Sequence, residues 1–153
     1  MQLKLRIILN VKEDVLRDIV IDSGTSLLEL SKIISTEFGF DSSEISTFHN
    51  TDDNWEQLDE IKIFKIDDKD EIMDNIPISN FFISKNDKLI FIYDFLNYWT
   101  FFIELHEIGD FINDDSKYFI TNSIGEVPEE APSNIFNVSD KITETDFDDN
   151  QID

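Results

Sequence analysis

The stretch KLIFIYDFLNYWTFFIELHEI, residues 88–108, decides the fold. Its first arm, Lys88 to Phe95, is almost continuously apolar, as a strand buried on both faces must be. Its second arm, Tyr98 to Ile108, alternates. Trp99, Phe101, Ile103 and Leu105 share one face, and Tyr98, Thr100, Phe102, Glu104 and His106 share the other. Leu96 and Asn97 are the expected turn, because Asn tolerates positive φ. The stretch therefore reads as a β-hairpin. It is too apolar to be left in water and too small to stand alone, so it belongs at the centre of a sheet.

Upstream, Ile76-Pro77-Ile78-Ser79-Asn80-Phe81-Phe82 reads as a proline-led helical turn with apolar pegs at Ile78, Phe81 and Phe82. Ile61 to Ile66 and Ile45 to His49 are short strands, separated by a polar loop and Trp55. Before them lies a helix with clear punctuation. Ser26-Leu27-Leu28-Glu29 is a capping box. Leu27, Leu30, Ile34 and Phe38 form a stripe at helical spacing, and Gly39 suits the left-handed position that ends a helix. The chain opens with two strands, Gln2 to Asn10 and Arg17 to Asp22, close enough to pair as an antiparallel hairpin. Downstream of residue 108, Tyr118 to Pro132 reads as an irregular wrap shaped by Gly125 and Pro128 and docked through Tyr118, Phe119, Ile120 and Ile124. Residues 133–153 are acidic and poor in large apolar side chains, the composition of a mobile tail.

These elements predict one α+β domain over residues 1–132. Its mixed or antiparallel sheet has about five to six strands packed on one main helix, with a β-grasp-like N-terminal half and an added C-terminal hairpin. The length of 153 residues and fourteen phenylalanines suffice for such a core.

Charge and composition narrow the function. The formal net charge is −22, which repels nucleic-acid phosphate and anionic membrane surfaces and favours a basic protein partner, or serves solubility alone. The chain has no cysteine, so disulfides, zinc thiolates and a cysteine nucleophile are excluded. The N-terminus lacks the features of a signal peptide, and no apolar run is long enough to span a membrane, so the expected location is the cytoplasm. No phosphate-cradling glycine loop, nucleophile elbow or cofactor motif is present. The run around Asp146, Asp148, Asp149 and Asp153 lacks the glycine and closing glutamate of a calcium loop and reads as solvated. Neither histidine, His49 nor His106, has the companions of a catalytic base.

The hairpin also carries a resemblance. Tyr93-Asp94-Phe95, Trp99 and Ile103-Glu104-Leu105 resemble the signature of the plasmid pRiA4b ORF-like family. The opening LKL, the helix ending FGFD, Ser46-Thr47-Phe48 leading to Trp55, the proline-led turn and Gly125-Glu126-Val127-Pro128-Glu129-Glu130 agree in order. Leu96 stands where that family usually has Gly, Asn97 and Tyr98 replace an acidic pair, and Phe101 replaces a common His. The resemblance implies a compact α+β domain of unsettled molecular role, encoded in bacteria and sometimes on mobile genetic elements.

Two functions are then in competition. One is a non-catalytic protein-binding module. The other is a small-ligand binder or enzyme with a pocket near Asp94 and Trp99, walled by Trp55 and the loop around Gly125. Asp94, Trp99 and Trp55 are the candidate ligand-binding residues; no catalytic residue, metal ligand or cofactor is assigned. Asp94 also has a structural reading, in which its carboxylate accepts from amides of the adjoining turn.

Overall fold

Alternation in the first residues places Leu3, Leu5, Ile7 and Leu9 on one buried face of strand β1 (Gln2–Leu9). A short turn returns the chain antiparallel as β2 (Leu16–Asp22). Helix α1 (Leu27–Glu37) follows, and its N-terminus is capped as its sequence demands. Ser26 Oγ accepts from the Glu29 amide at 3.1 Å, and the Glu29 carboxylate accepts from the Ser26 amide at 3.3 Å. Gly39, at φ 84°, takes the left-handed conformation after the last turn. Leu27, Leu30 and Ile34 are fully buried against the sheet, with Phe38 at the end of the stripe.

The computed structural model describes residues 1–61, 76–112 and 115–132. After α1 come β3 (Ser46–Thr51), β4 (Gln57–Ile61), a one-turn 3-10 helix (Ile78–Asn80), β5 (Lys88–Tyr93), β6 (Trp99–Gly109) and β7 (Tyr118–Ile124). They form one seven-stranded sheet in the order β4-β3-β5-β6-β1-β2-β7. Every neighbouring pair is antiparallel. The fold is α+β, with α1 on one face. The opening hairpin and the helix after it follow the expected order, and β1 takes β6 as its second neighbour, also antiparallel. β5 and β6 are the third and fourth strands of seven, the central place that their apolar sequence requires.

The core lies between α1 and the sheet. Across the strands run Phe48, Phe91 and Phe101, then Leu9; one layer along run Leu89, Ile103 and Ile7. Phe101 packs edge-on to Phe38 of the helix exit, with centroids 4.9 Å apart. The 3-10 turn fastens the helix start: the Ile78 amide donates to Thr25 O at 2.7 Å, and Leu27 N donates to Ile76 O at 3.2 Å. Of its three pegs, Ile78 and Phe82 are buried and Phe81 is half-buried.

Three expectations change. The sheet has seven strands, where five to six were expected, because Tyr118–Ile124 is a strand and not an irregular wrap. Its Tyr118 and Ile120 face Ile21 and Ile19 of β2, so alternation is present over its apolar half. A register shift at Asp18/Ile19 and the polar Thr121-Asn122-Ser123 hide that alternation in the sequence. In the β5–β6 turn, positive φ falls on Asp94 (64°) and Tyr98 (57°) and not on Asn97. β4 runs Gln57–Ile61 and ends at the first residue of the strand expected over 61–66; residues 62–66 lie outside the described residues, as do the acidic residues 133–153.

The face of the sheet away from α1 carries a line of charge. Lys88 on β5 is opposite Glu104 on β6, Glu104 is opposite Arg6 on β1, Arg6 is opposite Asp18 on β2, and Asp18 is opposite Asn122 on β7. Arg6 donates from Nε and Nη2 to the two carboxylate oxygens of Asp18, both at 2.8 Å. Lys88 Nζ lies 3.4 Å from Glu104.

Candidate functional site

The signature turn closes around Asp94. Its main-chain amide donates to Ile45 O at 2.9 Å, tying the turn to the start of β3. Its carboxylate accepts from the Leu96 amide at 3.1 Å and from Asn97 Nδ2 at 2.6 Å. Asp94 is only 9% exposed. Burial of an aspartate is tolerated here because the turn itself supplies the donors. The bonds explain why an acidic residue interrupts an apolar strand: it shapes the five residues that join β5 to β6.

Beside this turn lies a cavity of about 530 Å3. Three segments distant in sequence form it. The helix exit contributes Phe40 and Asp41, the hairpin contributes Tyr93, Asp94 and Trp99, and the stretch after β7 contributes Glu129 and Glu130. The left-handed Gly39 turns the chain so that Phe40 folds back over the sheet. Phe40 then lies 5.3 Å from Tyr93 and 5.0 Å from Trp99, centroid to centroid. This aromatic wall is continuous with the core through Phe101, whose ring meets Phe40 edge-on at 6.2 Å.

The rest of the lining is acidic. With Glu44, five carboxylates border the cavity, and among the described residues no Lys, Arg or His does. Asp41 is held below the usual carboxylate range, first by the Ser43 hydroxyl, then by the Ser43 amide, and then by the Tyr93 phenol. The Tyr93 phenol donates to the Asp41 carbonyl and, at 3.1 Å, to its carboxylate. Burial pushes the Tyr93 hydroxyl up, and the neighbouring Asp41 adds to the effect, so at neutral pH it is a neutral donor. The cavity is thus a negatively charged recess with an aromatic floor. Among the described residues it holds no paired nucleophile and base, since its one phenol and its most buried carboxylate are both committed to internal hydrogen bonds.

Asp94 and Trp99 therefore meet at one cavity, and Trp55 is not part of it. Trp55 lies on the opposite face of the sheet, its ring 4.9 Å from Phe102 and 5.5 Å from Lys88 Nζ. The reason is local. The Asp52 carboxylate accepts from the amides of Asn54 and Glu56 at 2.8 and 3.0 Å, closing a tight loop in which Trp55 takes φ 64° and turns onto β6. Phe102 and Trp99 are three residues apart on a strand, so they point to opposite sides. The wall expected from Trp55 comes instead from Phe40. The loop after β7 does reach the cavity, but through Glu129, Glu130 and Ala131 and not through Gly125.

The two histidines are placed differently. His106 is partly exposed, 3.5 Å from Glu104. His49 is buried on the face away from α1, with Nε2 3.0 Å from Thr47 Oγ1 and Nδ1 3.5 Å from Gln57 Nε2. Both of its ring nitrogens have partners, so it is a core histidine. Among the described residues no group of three or more His, Asp or Glu side chains could hold a metal ion. The carboxylates at 146, 148, 149 and 153 lie outside the described residues. No helix among the described residues is long and apolar enough to cross a membrane.

Comparison with known proteins adds two findings. The model of a family described as plasmid pRiA4b ORF-3-like protein matches residues 1–135, which include the whole of the cavity lining. A crystal structure of a protein of unknown function, MM3350, from Methanosarcina mazei Go1 is similar at a TM-score of 0.65 and 18% identity. The match covers 80% of this chain and 68% of that one, and at such identity it speaks for the fold alone. No curated protein matches.

Proposed function

We propose, for a chain that belongs to the plasmid pRiA4b ORF-3-like family, a non-catalytic binding role: the recess beside Asp94 and Trp99 receives a cationic group of a basic protein partner. One observation carries this reading. Five carboxylates and three aromatic rings line the same cavity, and among the described residues no positive side chain neutralises them there. A guanidinium or ammonium entering the recess meets aromatic rings and carboxylates together, the two features that attract cations most effectively at a partly desolvated site. The net charge of −22 acts in the same direction over longer range, concentrating basic partners near the surface. Domain limits of 1–132 fit this role, because Glu129 to Ala131 complete the lining at the end of that range.

The volume of the cavity, about 530 Å3, also suits a small molecule and favours a second reading, in which a free organic cation is the natural ligand. Both readings need the same charge chemistry. Titration with acetyl-arginine amide, followed by amide chemical shifts, tests it. Shifts should localise to residues 39–44, 93–99 and 129–131 and weaken as salt is raised. Asp41→Asn combined with Glu44→Gln should lower affinity about tenfold, from two partly exposed ion pairs and the lost field. Acetyl-norleucine amide, without the charge, should not bind. Shifts scattered over the whole surface, or equal binding of the uncharged amide, would refute the proposal.

A further inference from the structure

Apolar side chains open to solvent stand next in sequence to residues that line the recess. Phe95 and Leu96, at the tip of the β5–β6 turn, are 49% and 88% exposed, and Ile45, bonded through its carbonyl to Asp94, is 59% exposed. These side chains alternate along the chain with the lining itself. Glu44 precedes Ile45, and Asp94 and Asn97 bracket Phe95 and Leu96. A five-residue turn has no need of two large apolar side chains at its tip, and the main chain that carries Leu96 is held through the buried Asp94 carboxylate. The same turn thus carries an apolar ridge, Phe95 and Leu96, between residues that line a negatively charged cavity.

We infer that the occupant is a basic peptide segment in which an arginine or lysine stands next to a large apolar residue, read at two points: the cation in the recess and the apolar side chain on Phe95 and Leu96. This rests on the cation-binding reading above and adds a specificity to it. Charge complementarity selects a basic segment over a second copy of this chain, since two copies would bring net charges of −22 together. The ridge selects against a merely basic segment, because a flanking lysine or serine would leave exposed apolar surface unburied. A free small cation would fill the recess and leave the ridge in water.

The test uses the full chain and three probes: acetyl-arginine amide, acetyl-Gly-Arg-Leu-Gly-amide and acetyl-Gly-Arg-Ser-Gly-amide. The leucine peptide should bind about tenfold more tightly than the serine peptide, the gain expected from burying much of one leucine side chain. In Leu96→Ser, a substitution at an open position, that ratio should fall to near one while acetyl-arginine amide binds as before. Equal binding of the two peptides to the unaltered chain, with arginine amide still bound, would overturn the two-point inference and leave the recess intact. Failure of all three probes would overturn the cation reading and this inference with it. A wild-type dimer in sedimentation that Leu96→Ser dissociates would show the ridge to be a self-association surface and would also overturn it.

Discussion

Phe101 and Phe102 are neighbours in sequence, and the fold gives them opposite fates, so replacing each by alanine tests the architecture directly. Phe101 is fully buried between the sheet and α1, with ring neighbours Phe38 at 4.9 Å, Phe91 at 5.6 Å and Phe40 at 6.2 Å. Removing it deletes a complete buried side chain and three ring contacts at a site bounded by other rings that have little room to collapse. The cost should lie in the upper part of the ~3–5 kcal/mol range for such truncations. Phe102 is half-buried, and its ring contact is Trp55 at 4.9 Å, so Phe102→Ala should cost about 1–2 kcal/mol. For a chain of this size each kcal/mol moves the thermal midpoint by roughly 2–4 °C, which separates the two variants clearly. Urea unfolding followed by far-ultraviolet circular dichroism measures both, with the slope checked for constancy. Equal costs, or a larger cost for Phe102, would mean that the face assignment of the central strand is wrong, and the description of the core and of the cavity's aromatic wall would fall with it.

Four further outcomes follow from the same structure. Leu30→Ala, at a fully buried helix position, should cost on the order of 2–5 kcal/mol; an unmoved urea midpoint would contradict the packing of α1 on the sheet. Gly125 has φ 76°, and a Cβ there would sit 2.0 Å from the Asp14 carbonyl oxygen, so Gly125→Ala should cost at least about 1–3 kcal/mol, whereas Gly39→Ala, also at positive φ but with nothing within 4 Å, should cost about 1 kcal/mol; the same urea assay ranks the pair. Asp18 and Glu29 are held below their ordinary values, Asp18 chiefly by Arg6 and Glu29 chiefly by Lys117. Their contributions are therefore complete above the unfolded values near pH ~4 and lost as pH falls through the depressed ones, and Asp18→Asn should flatten the acid limb of a stability–pH curve. The chain should not shift duplex DNA in a mobility assay at physiological salt, given the −22 charge; a salt-sensitive shift would refute that expectation.

Local signals are legible in the sequence and long-range ones are not. The capping box at Ser26 and Glu29, the stripe from Leu27 to Phe38 and the two faces of the central strand depend on spacing alone, and each stands in the fold as read. β7 escapes such a reading because its alternation covers only Tyr118 to Ile120 before polar residues and a register shift interrupt it. At the cavity, Asp94 and Trp99 can be singled out because they sit in the most distinctive segment. Phe40 and Asp41 lie in the FGFD motif after the helix, and Glu129 and Glu130 in the stretch after Gly125, but nothing local says that these segments converge. Trp55 is misplaced for a related reason: a loop residue at positive φ points where its loop sends it, and the Asp52 hydrogen bonds that steer the loop leave no period to read.

The line of charge across the sheet solves an alignment problem that hydrophobic alternation leaves open. A strand that slips by one residue turns its apolar set to water and is rejected at once. A strand that slips by two keeps every apolar side chain on the correct face, so the core alone discriminates weakly against it. Arg6 does discriminate. Shifting β2 by two residues in either direction would place Leu16 or Val20 opposite it in place of Asp18, and the same shift of β6 would bring Phe102 or His106 in place of Glu104. Each error leaves a guanidinium facing an apolar or basic neighbour, and a slip of β2 also forfeits the paired bonds to Asp18. The row from Lys88 to Asn122 thus works as a key cut across five strands, and a chain with only 12 basic residues among 153 sets two of them, Lys88 and Arg6, in that key. Reversing one pair, Arg6→Asp with Asp18→Arg, should keep the β1–β2 pairing while setting a carboxylate on β1 against Glu104, so misalignment during refolding should appear first between β1 and β6.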